Sequence, residues 1–164
     1  MVKEKAADRA EWIMDLATAE LWMREAIEEA LKAGAEGEVP AGAIVLLNEK
    51  IVGRGHNNPI QLRDPTAHAE IVALRQAART MTNYRLSGSI LIVTMEPCLM
   101  CIGAMIHARV EELIYGAADP KAGAVRSCYR LADDNPFNHS IRVTPAVLEN
   151  ECGSILRSFF ASRR

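Results

Sequence analysis

No stretch of this chain is apolar for long enough to cross a bilayer; the longest runs, such as Ala41 to Leu47, are far too short. The beginning of the chain carries Lys3, Glu4, Lys5, Asp8, Arg9 and Glu11 where a secretory signal needs an apolar segment. There is no internal repeat, no low-complexity tract and no interdomain linker. An excess of basic charge is also missing. Lys and Arg total 19 against 21 Asp and Glu, for a net charge of −2, whereas a nucleic-acid binder is usually basic at least locally. The distribution softens this: Glu20, Glu25, Glu28, Glu29, Glu36 and Glu38 crowd the first quarter, while the last eight residues hold Arg157, Arg163 and Arg164 without an acid. Four cysteines without a secretory signal point to a reducing compartment, so the expected location is cytoplasmic, with no membrane partner.

A chain of 164 residues, 49% hydrophobic and 24% charged, is one soluble domain in size and composition. Residues 1–17 show no strand pattern and are set apart as an extension, in which Trp12, Ile13 and Leu16 are available to pack on the body or on a partner. The domain is expected to occupy 18–164. Ala19, Met23, Ala26, Ile27 and Ala30 recur at helical spacing, with Gly34 suited to the helix end. Ala41–Leu47 and Lys50–Gly55 flank Asn48-Glu49 as a β-hairpin. A polar loop, 57–65, leads to a helix marked by Ile71, Leu74, Ala78 and Met81. Ile90–Met95 reads as a strand, Leu99–Ala108 as a buried helix apolar on nearly every side, Leu113–Gly116 as a strand, and 119–139 as mostly loop. Ile141–Val143 is a short strand, and Thr144-Pro145 is expected to cap and begin a last helix whose inner face carries Leu148, Cys152, Ile155 and Phe159. Strands alternating with helices predict a three-layer α/β/α sandwich.

The densest chemistry lies in His68-Ala69-Glu70 and Pro97-Cys98-Leu99-Met100-Cys101. One imidazole and two thiolates, with a fourth position left open, make a catalytic rather than a structural zinc site. Cys98 and Cys101, three apart at a helix start, can grip one metal, and Pro97 fits the first turn. Glu70, two residues from His68, is the metal's neighbour rather than a further ligand, and is free to move protons. A lone CxxC also serves redox sites and zinc ribbons. The absence of a second CxxC and the presence of His-x-Glu make the catalytic reading the specific one.

These residues carry a family resemblance. The H-x-E…P-C-x-x-C pattern is that of the zinc nucleobase deaminases, and the likeness extends through Glu38-Val39-Pro40, Asn57-Asn58-Pro59-Ile60, Asp64-Pro65-Thr66-Ala67, Asn83-Tyr84-Arg85-Leu86, Gly103-Ala104-Met105-Ile106-His107, Asp119-Pro120-Lys121-Ala122-Gly123, Asn138-His139 and the terminal Phe159-Phe160 with Arg163-Arg164. Over about residues 20–164 the chain resembles the bacterial tRNA-specific adenosine deaminase family. The resemblance implies a cytidine-deaminase-like fold with a five-stranded mixed sheet and one Zn²⁺ per subunit on His68, Cys98 and Cys101. It also implies a homodimer, an anticodon stem-loop partner, and hydrolytic conversion of adenosine to inosine at the wobble position of an arginine tRNA, with Glu70 as proton shuttle. Asn57 and the Ala69 backbone N–H should read the purine edge. Asp119 and Lys121 belong to a loop that approaches the flipped nucleotide, where Asp119 either senses a ribose hydroxyl or caps a turn. His139 and Phe160 are candidate RNA contacts, Phe159 being assigned to the core by its register. Arg126 and Cys128 stand where the family has smaller or less polar residues, and 127–136 diverges. Two rivals stand beside this reading: a free guanine or cytosine deaminase of the same fold, and a non-catalytic zinc-stabilised module, against which Glu70 argues.

Overall fold

The computed structural model describes residues 14–134 and 136–164. In chain order the elements are α1 (Leu16–Ala35), β1 (Gly42–Leu47), β2 (Lys50–His56), α2 (Pro59–Leu62), α3 (Ala69–Met81), β3 (Ile90–Met95), α4 (Leu99–Ala108), β4 (Glu112–Ala117), β5 (Arg142–Thr144) and α5 (Glu149–Ala161). They form the expected three layers. The sheet runs β2-β1-β3-β4-β5, antiparallel on both sides of β1 and parallel from β3 to β5. β1 therefore points against the other four strands. Strands β3 and β4 are almost continuously buried, as central strands covered on both faces must be. The Asn48-Glu49 hairpin has positive φ at both residues, the twist a two-residue connection requires.

Two apolar layers flank the sheet. One packs α3 and α4 through Ala69, Ala73, Ala77, Ile102 and Met105 against Val45, Leu91, Val93 and Leu113. The other packs α1 and α5 through Met23, Ala26, Ile27 and Cys152 against Ile44, Ile92 and Ile114. Cys152 is buried, as its register predicts, and burial pushes its thiol up to about 12.

Several boundaries differ from the sequence reading. Helix α1 opens at Leu16, inside the stretch assigned to the extension, because the Asp15 carboxylate accepts the Thr18 N–H at 2.9 Å and caps it. Leu16 itself is exposed, while Trp12 and Ile13 lie outside the described residues. Gly34 lies within α1; the turn-reversing residue is Gly37, with φ +82°. The polar loop contains the short helix α2, with Pro59 at its first position. The inner face of α3 is Ala69, Ala73 and Ala77 rather than Ala78 and Met81; Met81 is exposed. Pro97 precedes α4 instead of opening it, since Cys98 is the N-cap. Thr144 ends β5 with its hydroxyl toward Glu112, and α5 starts only at Glu149, after Leu148 in a left-handed conformation. Helix α4 is buried on one face only. Leu99 is 53% exposed, and a Cβ added at Gly103 would meet nothing within 4 Å, so an apolar strip of α4 faces away from its own core.

The close seat of α3 on β2 comes from two glycines. Residues two apart on a strand share a face, and Gly53 and Gly55 turn that face to α3. A Cβ on Gly55 would lie 2.5 Å from the Ala73 nitrogen and closer still to the Ala69 carbonyl oxygen. Gly55→Ala therefore forces α3 off the sheet at the end that carries His68. Overpacking of this kind costs about 1–3 kcal/mol, which for a domain of this size lowers Tm by roughly 2–12 °C. A thermal melt of the zinc-loaded variant checks it; an unchanged Tm contradicts the packing argument.

Candidate metal centre and active site

Because β2 and β3 run the same way, α3 and α4 both begin at the carboxyl end of the sheet, the edge where open α/β folds place their ligands. His68 is the N-cap of α3 and Cys98 the N-cap of α4. Both are extended (φ −71°, ψ 154° and φ −78°, ψ 174°), and neither side chain makes the capping hydrogen bond usual at that position. They turn to each other instead. His68 Nδ1 lies 3.5 Å from Cys98 Sγ and 3.6 Å from Cys101 Sγ, and the two sulfurs are 3.8 Å apart.

That triangle fits a tetrahedral zinc ion. With Zn–S near 2.3 Å and Zn–N near 2.0–2.1 Å, tetrahedral edges are about 3.8 Å between sulfurs and about 3.6 Å from sulfur to nitrogen. The three donor atoms lie within 4.8 Å of one another, and theirs is the one such metal-ligating cluster among the described residues. The first turns of two helices point their positive ends at the cluster and favour the thiolate form. Hydrogen bonds from the Cys101 thiol and the His68 ring lower the Cys98 pKa to about 3. The same contact, with burial, keeps the proton on Cys101. Hydrogen bonding to Cys98 raises the His68 pKa.

Glu70 is the second residue of α3, 6% exposed. Burial pushes its carboxyl up to about 7, against the pull of the His68 charge. It is a carboxyl that can both take and give a proton near neutral pH, placed beside the metal donors.

The approach to His68 is shaped by Asp64. Its Oδ1 accepts the Thr66 N–H at 2.8 Å and the Thr66 hydroxyl at 2.7 Å, folding 64–67 into a turn that delivers His68 to the helix start. Ala69, fully buried, presents a first-turn N–H with no acceptor within the helix. Asn57 follows β2, half-buried, its N–H bonded to the Ala41 carbonyl at 2.9 Å. Asp119 is tied to the metal corner through its backbone N–H, 3.0 Å from Glu96 Oε2. Its own carboxylate caps a turn, accepting the N–H groups of Lys121 and Ala122 at 3.0 and 3.2 Å; Lys121 is exposed beside it.

Two candidates are not brought to the metal. His139 Nε2 donates to the Val110 carbonyl at 2.6 Å, so its ring sits past the far end of α4, about 15 Å of helix from Cys98. Phe160 is 49% exposed near the end of α5 and packs edge-on to Phe159, with centroids 5.4 Å apart. The half-buried Phe159 lies under the Arg163 guanidinium, 3.9 Å above its ring. Arg163 reaches Gly37, next to Glu38, whose carboxylate accepts the Ile60 and Gln61 N–H groups at 2.8 and 2.9 Å. The end of α5 thus lies against the turn that follows α1.

Glu38 and Glu96 are the site residues the sequence reading left without roles. Both are buried carboxylates spent on distant backbone N–H groups. The signal available in sequence was each acid's place directly before a proline-containing corner.

Comparison with known proteins agrees with this geometry. The profile of the cytidine and deoxycytidylate deaminase zinc-binding region matches residues 16–117. A tRNA-specific adenosine deaminase of Haemophilus influenzae is 49% identical over 88% of this chain and 84% of its own length. The chain belongs to the tRNA-specific adenosine deaminase family. A solved structure from work on A-to-I editing by tRNA:A34 deaminases at the wobble position superposes with a TM-score of 0.80 at 41% identity, over 83% of this chain and 99% of the other. A guanine deaminase of Nitrosomonas europaea shares the fold at lower similarity, with TM-score 0.72, 25% identity, and 87% and 84% covered. Zinc is the cofactor of the family, and the His-Cys-Cys triangle is matched to it in donor type and spacing.

Proposed function

We propose that this protein is a zinc-dependent hydrolase that converts adenosine to inosine at the wobble position of a tRNA anticodon, an arginine tRNA being the expected substrate. The observation that carries the reading is the His68–Cys98–Cys101 triangle with the buried Glu70 beside it, in a chain nearly half identical to a tRNA-specific adenosine deaminase. His68, Cys98 and Cys101 hold the metal. Zinc supplies the Lewis acidity that makes a water nucleophilic near neutral pH. Glu70 takes that water's proton as the oxygen adds to C6, passes it to N1, and then helps protonate the departing amine, so that adenosine and water leave as inosine and ammonia. The Asn57 amide and the Ala69 N–H read the purine edge and orient C6. Asp119 and Lys121 line the rim that the flipped nucleotide passes. Phe160, exposed near the end of α5 with Arg163 over the neighbouring Phe159 ring, offers a stacking and phosphate surface to the RNA. His139, whose ring is held by the Val110 carbonyl past the end of α4, is a candidate anticodon-loop contact away from the metal.

Residues 1–17 are an extension and 18–164 the catalytic domain, with α1 already opening at Leu16. No described helix is long and apolar enough to cross a membrane; the cytoplasm, where the four thiols stay reduced, is the proposed location. A homodimer is supported by the apolar strip of α4 that the described residues leave uncovered around Leu99 and Gly103.

The experiment is inosine formation in an arginine-tRNA anticodon stem-loop, with free adenosine, cytosine and guanine run in parallel. Inosine in the RNA, with the free compounds inert, is the expected result. Deamination of a free base alone overturns the RNA assignment and leaves a salvage deaminase on the same metal chemistry.

A further inference from the structure

Glu96 directly follows β3, two residues before Cys98, and its carboxylate turns to segment 119–127. It is 3% exposed, and its carboxylate receives a full set of donors from a single segment. Oε1 accepts the backbone N–H groups of Arg126 at 2.8 Å, Ser127 at 3.0 Å and Val125 at 3.2 Å. Oε2 accepts the Asp119 N–H at 3.0 Å and the Ser127 hydroxyl. Successive backbone N–H groups converging on one anion form a nest, here filled by a side chain of the protein itself.

The backbone on either side is tied to the same segment. Ala124 N–H donates to the Pro97 carbonyl at 2.9 Å, and Cys98 pairs with Gly123 in an isolated antiparallel bridge. Gly123 is there because nothing larger fits: an added Cβ would run into the Glu96 carboxylate and lie 2.6 Å from the Asp119 carbonyl oxygen.

We propose that Glu96 is a positioning residue that docks segment 119–127 onto the Cys98 corner, so that Asp119 and Lys121 meet the incoming nucleotide in a fixed place. The inference rests on the tRNA-editing reading above. It assigns Glu96 to substrate binding rather than to metal retention or to the proton transfers. The substitution that separates these is Glu96→Gln. Its amide oxygen can still serve the three N–H groups on the Oε1 side. Its NH₂ then faces the Asp119 N–H, donor against donor, and frees that end of the loop.

The test is steady-state kinetics on the anticodon stem-loop together with bound zinc measured on the same preparations. For Glu96→Gln we expect one zinc per chain, a KM at least tenfold higher, and a kcat within about threefold of the parent. Gly123→Ala attacks the same contact from the loop side and should give the same pattern, and it decides the matter if Glu96→Gln does not fold. A parental KM in the variants overturns the proposal, as does loss of zinc from Glu96→Gln, which would make Glu96 a support of the metal corner. If the parent enzyme itself forms no inosine in the stem-loop, it is the functional reading that fails; if the parent edits and the variants bind as it does, only this inference fails.

Discussion

Glu70→Ala should keep its zinc and lose inosine formation by roughly 10²–10⁴-fold or more, the range that general acid–base catalysis contributes. The expectation follows from where the residue sits. Glu70 lies in the first turn of α3, two positions past the N-cap His68, so it reaches the metal pocket without being one of the triangle's corners. Removing its carboxylate leaves the donor spacings of 3.5, 3.6 and 3.8 Å untouched. What disappears is the buried carboxyl beside the metal donors, with a pKa of about 7 as a proton carrier near neutral pH needs. On the proposed role of Glu70 as proton shuttle, the loss should fall on kcat rather than on RNA binding. Glu70→Gln separates charge from shape: it keeps the volume and should be as inactive as Ala. Metal analysis and single-turnover inosine formation on the same samples make the check. Zinc retained together with near-parental turnover would remove Glu70 from the mechanism; zinc lost would make it part of the metal site.

The sequence shows the elements that carry strong periodic or motif signals. Helix α4 and strand β3 fall at the residues expected, because an apolar, β-branched run and a proline-cysteine corner mark their limits. The metal residues were legible because donor types at short spacing are local information. What was not legible is remote pairing. Thr144-Pro145 has the composition of a helix start, yet Thr144 is drawn into β5 beside Ile114, and the Val147 N–H is taken by the Tyr115 carbonyl, so the helix waits until Glu149. Met81 has helical spacing with Leu74, but the approach of Gly53 and Gly55 turns the alanine face of α3 inward and leaves Met81 in solvent. Glu38 and Glu96 look like ordinary charged residues until the fold brings distant N–H groups to them. Asp119 was open to two readings, and the structure shows the turn-capping one in place: its carboxylate is occupied by Lys121 and Ala122. Helix α4 reads as buried all round, and one apolar side around Leu99 and Gly103 is instead exposed among the described residues.

Cys101→Ser should abolish zinc binding and activity together, and removal of zinc from the parent should do the same reversibly. Cys101 is fully buried in the first turn of α4, and it is the corner that ties that helix to His68 on the neighbouring helix. A serine hydroxyl does not ionise near neutral pH and offers a poorer donor at the same place, leaving only His68 and Cys98. The structural consequence follows from linkage. Zinc binds the folded chain, where both N-caps already face each other, far better than an unfolded one. At free zinc about a thousandfold above Kd, this contributes about 4 kcal/mol, or roughly 8–16 °C in Tm for a domain of this size. Chelated enzyme should therefore melt lower by that order, form no inosine, and recover both on return of one equivalent of Zn²⁺. Cys128→Ser is the control. That thiol is exposed in the rim loop, donates to the Pro120 carbonyl at 3.2 Å, and should leave zinc content unchanged. Chelated enzyme that melts with the parent would mean that the two helix starts are held by packing alone, and zinc retained by Cys101→Ser would place the third donor elsewhere.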